Sequence, residues 1–324
     1  MKLQQLRYIW EIAHHDLNVS ATAQSLYTSQ SGISKQVRLL EDELGVEIFS
    51  RSGKHLLRVT PAGKAILRMA EEILYKVENI KKVAEEFSND KKGSLSLATS
   101  YTQARYVLPK IIDNFTDRHP EVSLHVHQGT PVQISEMASN GSVDLAIATE
   151  DVQLFSNLIM MPCYQWNHCI IVPRNHPLCQ LSTLTLHTIA RYPIVTYVSG
   201  FTGRSQLDEA FFAQKISSKI ACTAVDADVI KTYVRLGLGV GIIAEMAYSS
   251  DDDSDLVALD VSHLFKPSIT KIGFRRGAFL RNFMYEFIQD FAPHLNKAVV
   301  NEAYSCTSKL EQNELFEHMQ LPSY

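Results

Sequence analysis

Cysteine is scarce and scattered in this sequence: five in 324 residues (Cys163, Cys169, Cys179, Cys222, Cys306), none in a CxxC pair. That excludes a disulfide scaffold and fits reduced thiols with no zinc site; Cys163, Cys169 and Cys222 sit in apolar strand-like runs and read as inert core thiols. No apolar run approaches the ~20 residues that a membrane helix needs. The opening Met1-Lys2-Leu3-Gln4-Gln5-Leu6-Arg7 carries no apolar leader, so a cytoplasmic location is expected. No GxSxG, HExxH or P-loop occurs, and no nucleophile–base pair or metal set is visible, so an enzyme is disfavoured and no cofactor is implied. Leu236-Gly237-Leu238-Gly239-Val240-Gly241-Ile242 fails the GxGxxG spacing and precedes a strand, which makes it a tight turn. His125 and His127 share a strand face without a third ligand nearby, and Asp251-Asp252-Asp253-Ser254-Asp255 lacks the EF-hand spacing and reads as a solvated loop.

What is present is a chain of domain-forming composition, 45% hydrophobic and 20% charged, with a formal net charge of -4. That length suggests two or three domains at ~100–200 residues each. The charge is uneven: residues 1–64 hold 8 Lys and Arg against 6 Asp and Glu, the remainder 23 against 29. A basic head on an acidic body permits a polyanion partner.

Residues 1–60 read as short capped helices followed by a wing. Leu3, Leu6, Ile9, Trp10 and Ala13 recur at helical spacing; Ser20 suits the cap of a second helix and Ser29 that of a third, carrying Ile33, Val37, Leu40 and Leu44 and stopped by Gly45. Two helices joined by a tight turn form a helix-turn-helix. The run from Phe49 to Thr60 centres on Gly53 and reads as a small hairpin, after which Thr60-Pro61 opens a new helix. On residues 61–87, Ile66, Ala70, Ile73, Val77, Ile80, Ala84 and Phe87 alternate spacings of four and three, a heptad seam that favours a partner helix, hence dimerisation, over packing within its own domain. Residues 88–93 form a polar hinge. Beyond it, strand-like runs at 94–99, 122–128, 143–149, 169–172, 194–198, 220–224, 240–244, 256–259 and 270–274 alternate with helical stretches. This predicts an α/β effector domain over 94–295 with mostly parallel sheets. Its two subdomains are expected at about 94–163 plus 267–292 and at about 164–266, followed by a peripheral tail over 296–324.

On the third helix, Ser29, Gln30, Ser31, Ser34, Lys35, Gln36 and Arg38 offer groups for base edges and phosphates, and the hairpin adds Arg51, Lys54 and Arg58. Ala21-Thr22-Ala23-Gln24-Ser25-Leu26, Ser29-Gln30-Ser31-Gly32-Ile33-Ser34, Leu40-Glu41-Asp42-Glu43-Leu44-Gly45 and Val59-Thr60-Pro61-Ala62-Gly63 resemble the winged helix-turn-helix of LysR-type transcriptional regulators. Segments 2–8, 26–30, 102–106, 200–205, 226–235 and 271–276 narrow the resemblance to the branch that activates cysteine-biosynthesis genes or to its paralogue serving sulfonate use and sulfate starvation. Ser31 departs from the Pro usual in that family, and Ser100 from the Thr usual in that branch.

The resemblance implies an effector domain of the type II periplasmic-binding-protein kind, with a ligand held between two α/β halves. Ser100, Thr102, Gln103, Thr149 and Thr202 lie where strands end and helices begin, the place where free backbone N–H groups receive anions. In the resembled branch these positions contact the effector: N-acetylserine or O-acetylserine, with sulfate or thiosulfate also able to bind. Promoter DNA, a second copy of the chain (a homodimer, then a homotetramer) and RNA polymerase are the further partners implied.

Overall fold

A computed structural model gives the architecture of residues 1–53, 55–149, 154–201 and 203–324. These fall into two compact units, Met1–Ser88 and Asn89–Tyr324. Lys54 and Thr202, both named above as candidate contacts, lie outside the described residues.

The first unit contains helices α1 (Leu3–His14), α2 (Val19–Ser25) and α3 (Gln30–Leu44), strands β1 (Phe49–Ser52) and β2 (His55–Val59), and the 28-residue helix α4 (Pro61–Ser88). Its core is Leu6, Ile9, Ile12, Ile33, Val37, Leu40, Ile48, Phe49 and Ala70. Leu3, expected on the buried stripe of α1, is 52% exposed. The cap of α2 is Asn18, not Ser20: Asn18 Oδ1 accepts from the amides of Ser20 and Ala21 at 3.1 and 3.0 Å, which places Ser20 inside the helix. Ser29 Oγ accepts from Gly32 N at 3.1 Å, and Gly45, at φ 68°, ends α3. β1 and β2 pair antiparallel as the expected wing. Thr60 Oγ1 caps α4 by accepting from Gly63 N at 2.9 Å, and a Cβ on Gly63 would stand 2.1 Å from the Ile48 carbonyl oxygen, so only glycine allows that approach. The heptad seam on α4 divides. Ala70 is buried in the unit's own core and Ile66 packs on it, because α1 lies against α4; Ile73, Ile80 and Phe87 are exposed. Ile66 and Ala70 therefore leave the expected partner seam.

The second unit carries strands β3 (Gly93–Thr99), β4 (Val122–Gln128), β5 (Leu145–Ala148), β6 (Leu158–Trp166), β7 (His168–Pro173), β8 (Ile194–Tyr197), β9 (Ile220–Ala224), β10 (Val240–Ala244), β11 (Leu256–Asp260) and β12 (Ser268–Arg275). Helices α5 (Leu108–Arg118), α6 (Pro131–Ser139), α7 (Leu186–Ile189), α8 (Arg204–Ala213), α9 (Ala227–Arg235), α10 (Asn282–Phe291), α11 (Lys297–Ser305) and α12 (Lys309–Glu317) complete it. The strands form two five-stranded sheets, ordered β4-β3-β5-β12-β6 and β11-β7-β10-β8-β9.

The sheets are mixed and not mostly parallel. β4, β3 and β5 run parallel while β12 is antiparallel to both β5 and β6; β10, β8 and β9 run parallel while β7 is antiparallel to both β10 and β11. The chain passes from the first sheet to the second through Asn167 and returns before β12, so the crossing strands enter each sheet in the reverse sense. β6 escapes a reading by alternation because Leu158–Trp166 is almost wholly buried and interrupted by Pro162. Pro162 is tolerated on this edge strand because the pairing with β12 slips there, Thr270 facing Tyr164 and Lys271 facing Pro162.

The tail is integral to the first lobe and not peripheral. Val300 and Ala303 of α11 lie in its core, Gln312 of α12 donates to the Met160 carbonyl at 2.7 Å, and residues 322–324 pair with Gln165 on the otherwise open edge of β6. An edge strand leaves N–H and C=O groups unpaired, and this segment supplies their partners. Residues 89–93 are likewise anchored: buried Arg281 donates to the carbonyls of Lys92 and Asn89, both at 2.9 Å.

Candidate functional site

In the second unit, β3 ends at Thr99 and the chain turns straight into a helix whose first hydrogen bonds come from Ser100: its carbonyl accepts from Ala104 N at 3.0 Å and its hydroxyl from Gln103 N at 3.4 Å. Residues 103–107 then form a π-helical turn before α5. Pro109 explains it, because a proline supplies no N–H to the preceding turn and its ring crowds the carbonyl four residues back, so the ladder shifts register. This turn directs Gln103 inward and Tyr106 toward the other lobe.

Gln103 is 1% exposed and both ends of its amide are engaged. Its Oε1 accepts from the Tyr164 hydroxyl, and its Nε2 donates to Thr270 Oγ1 at 3.2 Å with Met246 Sδ at 3.9 Å. Thr270 Oγ1 also accepts from Trp166 Nε1 at 3.1 Å and lies 3.2 Å from Thr149 Oγ1. Thr149 is half-buried at the end of β5. Thr102, 2% exposed, hydrogen-bonds Tyr197 on β8, whose hydroxyl accepts from Ala244 N at 3.3 Å. Gly203, at φ 68° before α8, sits so close to Trp166, His168 and Ser268 that a Cβ there would lie within 2.8 Å of His168 Cε1 and Ser268 Oγ. The hydroxyls of Thr99 and Ser268 are buried without a hydrogen-bond partner among the described residues. Such groups cost about 1–3 kcal/mol each when left unpaired.

Of the expected effector contacts, Gln103 and Thr149 meet at Thr270, Ser100 caps the Gln103 backbone amide, and Thr102 bridges to the second lobe. Thr270, Tyr164, Trp166 and Tyr197 are missed by sequence reasoning because they lie inside strands, without a local motif. Their one signal is a polar group at a buried strand position. Burial pushes the phenols of Tyr164 and Tyr197 well above the usual tyrosine range, so both remain hydrogen-bond donors at neutral pH.

A second contact joins the lobes at the surface. Tyr106 OH donates to Asp228 Oδ1 at 2.7 Å, Arg105 Nε to Asp228 Oδ2 at 3.3 Å, and Lys231 Nζ stands 5.2 Å over the Tyr106 ring. Burial pushes Asp228 up, but the bonds from Tyr106 and Arg105 and the Lys231 charge outweigh it and hold the carboxylate below its usual range. Lys231 and Arg235 also clasp Asp253 at 2.7 and 2.9 Å. Asp253 is 3% exposed, so the acidic run at 251–255 is a structural anchor at its centre and not simply a solvated loop. Cys163 and Cys169 are buried, and Cys222, half-buried on edge strand β9, packs against the core of the second lobe.

In the first unit, α3 presents Ser29, Gln30, Ser31, Lys35 and Arg38 to solvent, with Ser34 and Gln36 half-buried beside them. Arg58 is exposed on β2. Arg51 serves the fold instead. Its guanidinium pairs with Glu41, whose other carboxylate oxygen accepts from the amides of Ile48 and Phe49 at 2.8 and 3.1 Å. The pair ties the wing to α3. Tyr27, read only as part of a turn, is 98% exposed at φ 51° just before α3, an aromatic group displayed beside the polar face.

Comparison with known proteins gives two family matches: "Bacterial regulatory helix-turn-helix protein, lysR family" over residues 3–64 and "LysR substrate binding domain" over residues 88–296. The chain is 53% identical over 321 residues to the HTH-type transcriptional regulator CysB of Haemophilus influenzae, covering 99% of each. It is 45% identical over 289 residues to the HTH-type transcriptional regulator cbl of Escherichia coli, covering 89% of this chain and 92% of that protein. The crystal structure of the cofactor-binding domain of the Cbl transcriptional regulator matches at 40% identity and TM-score 0.64, covering 67% of this chain and 96% of that one.

Proposed function

This chain belongs to the LysR family of transcriptional regulators, and from that premise we propose that it activates genes of sulfur assimilation and cysteine biosynthesis when a small anionic effector occupies the crevice between its two lobes. N-acetylserine is the effector this reading favours, with O-acetylserine, sulfate and thiosulfate as further ligands. The chain is a regulator and not an enzyme.

The observation that carries the proposal is the buried network of Gln103, Thr270, Trp166 and Thr149, together with the buried hydroxyls of Thr99 and Ser268, which have no hydrogen-bond partner among the described residues. A carboxylate or sulfate oxygen satisfies such donors, and the helix N-termini after Ser100 and before α8 add their N–H groups. Ser100, Thr102, Gln103, Thr149 and Thr202 are the proposed contacts. Thr102 and the Tyr106–Asp228 bond span the lobes, so an occupant of the crevice alters how the lobes meet. Occupancy shifts the regulator's state only to the extent that the effector binds one arrangement better than the other.

The first unit grips promoter DNA with α3 in the major groove, through Ser29, Gln30, Ser31, Ser34, Lys35, Gln36 and Arg38. Lys54 and Arg58 lie on flanking phosphates. Ile73, Val77, Ile80, Ala84 and Phe87 form the seam between α4 helices of a homodimer, and two dimers make a homotetramer. The regulator works in the cytoplasm, with RNA polymerase as a further partner at the promoter.

The test is calorimetric titration of the full chain with N-acetylserine, sulfate and adenylyl sulfate. Saturable heat with N-acetylserine supports the proposal. Heat with adenylyl sulfate alone replaces it with regulation of sulfonate-use and sulfate-starvation genes, and no heat with any of the three overturns the effector reading.

A further inference from the structure

The segment that covers the edge of β6 also touches the buried network. Gln165 N donates to the Pro322 carbonyl and Tyr324 N to the Gln165 carbonyl, both at 2.9 Å, so residues 322–324 lie as a short parallel partner beside β6. That pairing sets the Tyr324 ring against Tyr164, with centroids 5.1 Å apart, while Phe291 packs on Tyr164 at 5.8 Å. Tyr164 is buried, and its hydroxyl bonds both Gln103 and Thr270. The Tyr324 hydroxyl donates in turn to the Tyr106 carbonyl at 3.4 Å, and Tyr106 is the residue that reaches Asp228 of the second lobe. One half-exposed side chain therefore packs on a phenol of the network and touches the backbone of the turn that spans the lobes.

The attachment is shallow. Gln312 anchors α12 at the Met160 carbonyl and residues 322–324 anchor the far end. Between them the tail spans a cavity of about 620 Å³, lined by Met160, Lys271, Asn313, Phe316 and Met319 among others. A segment that bridges a void forfeits packing contacts on one side, so its docking is weaker than the fold of the lobe beneath it. A weakly docked segment is one whose population a ligand can shift.

We propose that Tyr324 is a positioning residue for the effector crevice: docking of residues 322–324 holds Tyr164, and through it Gln103, in the arrangement that receives the ligand. The tail thereby sets effector affinity from outside the crevice. The inference rests on the crevice being the effector site. Coupling of this kind is reciprocal, so an effector that prefers the docked arrangement also tightens the docking by the same factor. A tail that only covers the open edge of β6 behaves differently: its loss lowers the melting temperature and leaves ligand affinity alone.

Both directions are tested by titrating N-acetylserine calorimetrically into the full chain and by following hydrogen exchange at the Tyr324 amide. Tyr324→Ala binds about fivefold more weakly than the unaltered chain, the scale of one aromatic pair. Tyr324→Phe keeps the ring, loses only the long bond to Tyr106, and binds within about twofold of the unaltered chain. In the unaltered chain, saturating N-acetylserine slows exchange at the Tyr324 amide by about the same fivefold, a readout that needs no variant to fold. Tyr324→Ala binding equal to that of the unaltered chain, or exchange that ignores N-acetylserine, overturns the inference while leaving the effector site standing. A Tyr324→Phe chain as weak as Tyr324→Ala overturns it too, since the ring is then not what positions Tyr164. If the unaltered chain gives no heat with N-acetylserine, the effector reading falls and the inference with it.

Discussion

Arg38 and Thr149 mark the contrast between the two units. Arg38 is exposed on α3, a full positive charge on a long side chain, whereas Thr149 is a neutral hydroxyl backed by Thr270, Gln103 and Trp166. The first unit displays its polar groups to solvent and uses a well-buried carboxylate, Glu41, as scaffold. The second hides its donors before any ligand arrives and puts its buried charges, Lys231 and Asp253, into architecture. A polyanion with many phosphates is gripped by mobile surface charges whose contribution is screened by salt, so losses there are small and uniform. A small anion gives few contacts, so each must be aligned beforehand, and losses there are steep and local.

The largest effect is expected where a buried charge serves the fold. Breaking a buried ion pair from one side costs about 3–5 kcal/mol, and Arg235 still holds Asp253, so Lys231→Met sits at the low end of that range. Thermal melting reads it. Burial pushes Asp253 up, but bonds from Lys231, the Ser249 amide and Arg235 outweigh it and hold the carboxylate below its usual range. Because the folded value lies below the unfolded one, this stabilisation is present above about pH 4 and is lost as pH falls through the folded value. Removing Lys231 moves that acid loss to higher pH. An unchanged acid transition removes the pair from the architecture.

Arg51→Ala comes next. It removes the guanidinium partner of Glu41 and costs the first unit about 1–3 kcal/mol, read as an earlier melt of that unit with effector titration unchanged. If DNA affinity falls while the melt stays in place, Arg51 returns to the displayed group and the contrast weakens. Thr102→Ala breaks the bond to Tyr197 and weakens effector binding by about tenfold, near 1.4 kcal/mol, without changing DNA affinity at fixed salt. Equal loss of both marks a structural cap and not a sensor contact. The smallest effect is at Arg38: Arg38→Ala lowers affinity for all sequences alike and reduces the salt slope by about one, and an unchanged slope excludes it from the phosphate contacts.

What the sequence reveals of these sites follows the range of the interactions. Ser29, Gly45 and the Thr60-Pro61 start are decided within one helical turn, and each appears in the fold as read. Ser100, Thr102 and Gln103 are legible as hydroxyl and amide groups at a strand end, because the anion-receiving geometry there is also local. Thr270 is not: its role exists only because β12 lies between β5 and β6, which brings Thr149 and Trp166 to it from residues 121 and 104 positions away. Asp253 misleads for the same reason. Its partner Lys231 arrives from another element, and a charged residue without a visible partner reads as solvated. The tail reads as peripheral because α12 is polar along much of its length, while its docking rests on Gln312 and three residues beside Gln165.

The central claim is that an anion held by uncharged donors in one unit changes how the other unit holds DNA. Footprinting of a cysteine-biosynthesis promoter, with and without N-acetylserine, on the unaltered chain and on Thr149→Val tests it most directly. The account predicts a footprint that changes with N-acetylserine for the unaltered chain, and one of equal strength that ignores it for Thr149→Val. An unaltered footprint that never responds, or a Thr149→Val footprint that responds fully, contradicts it.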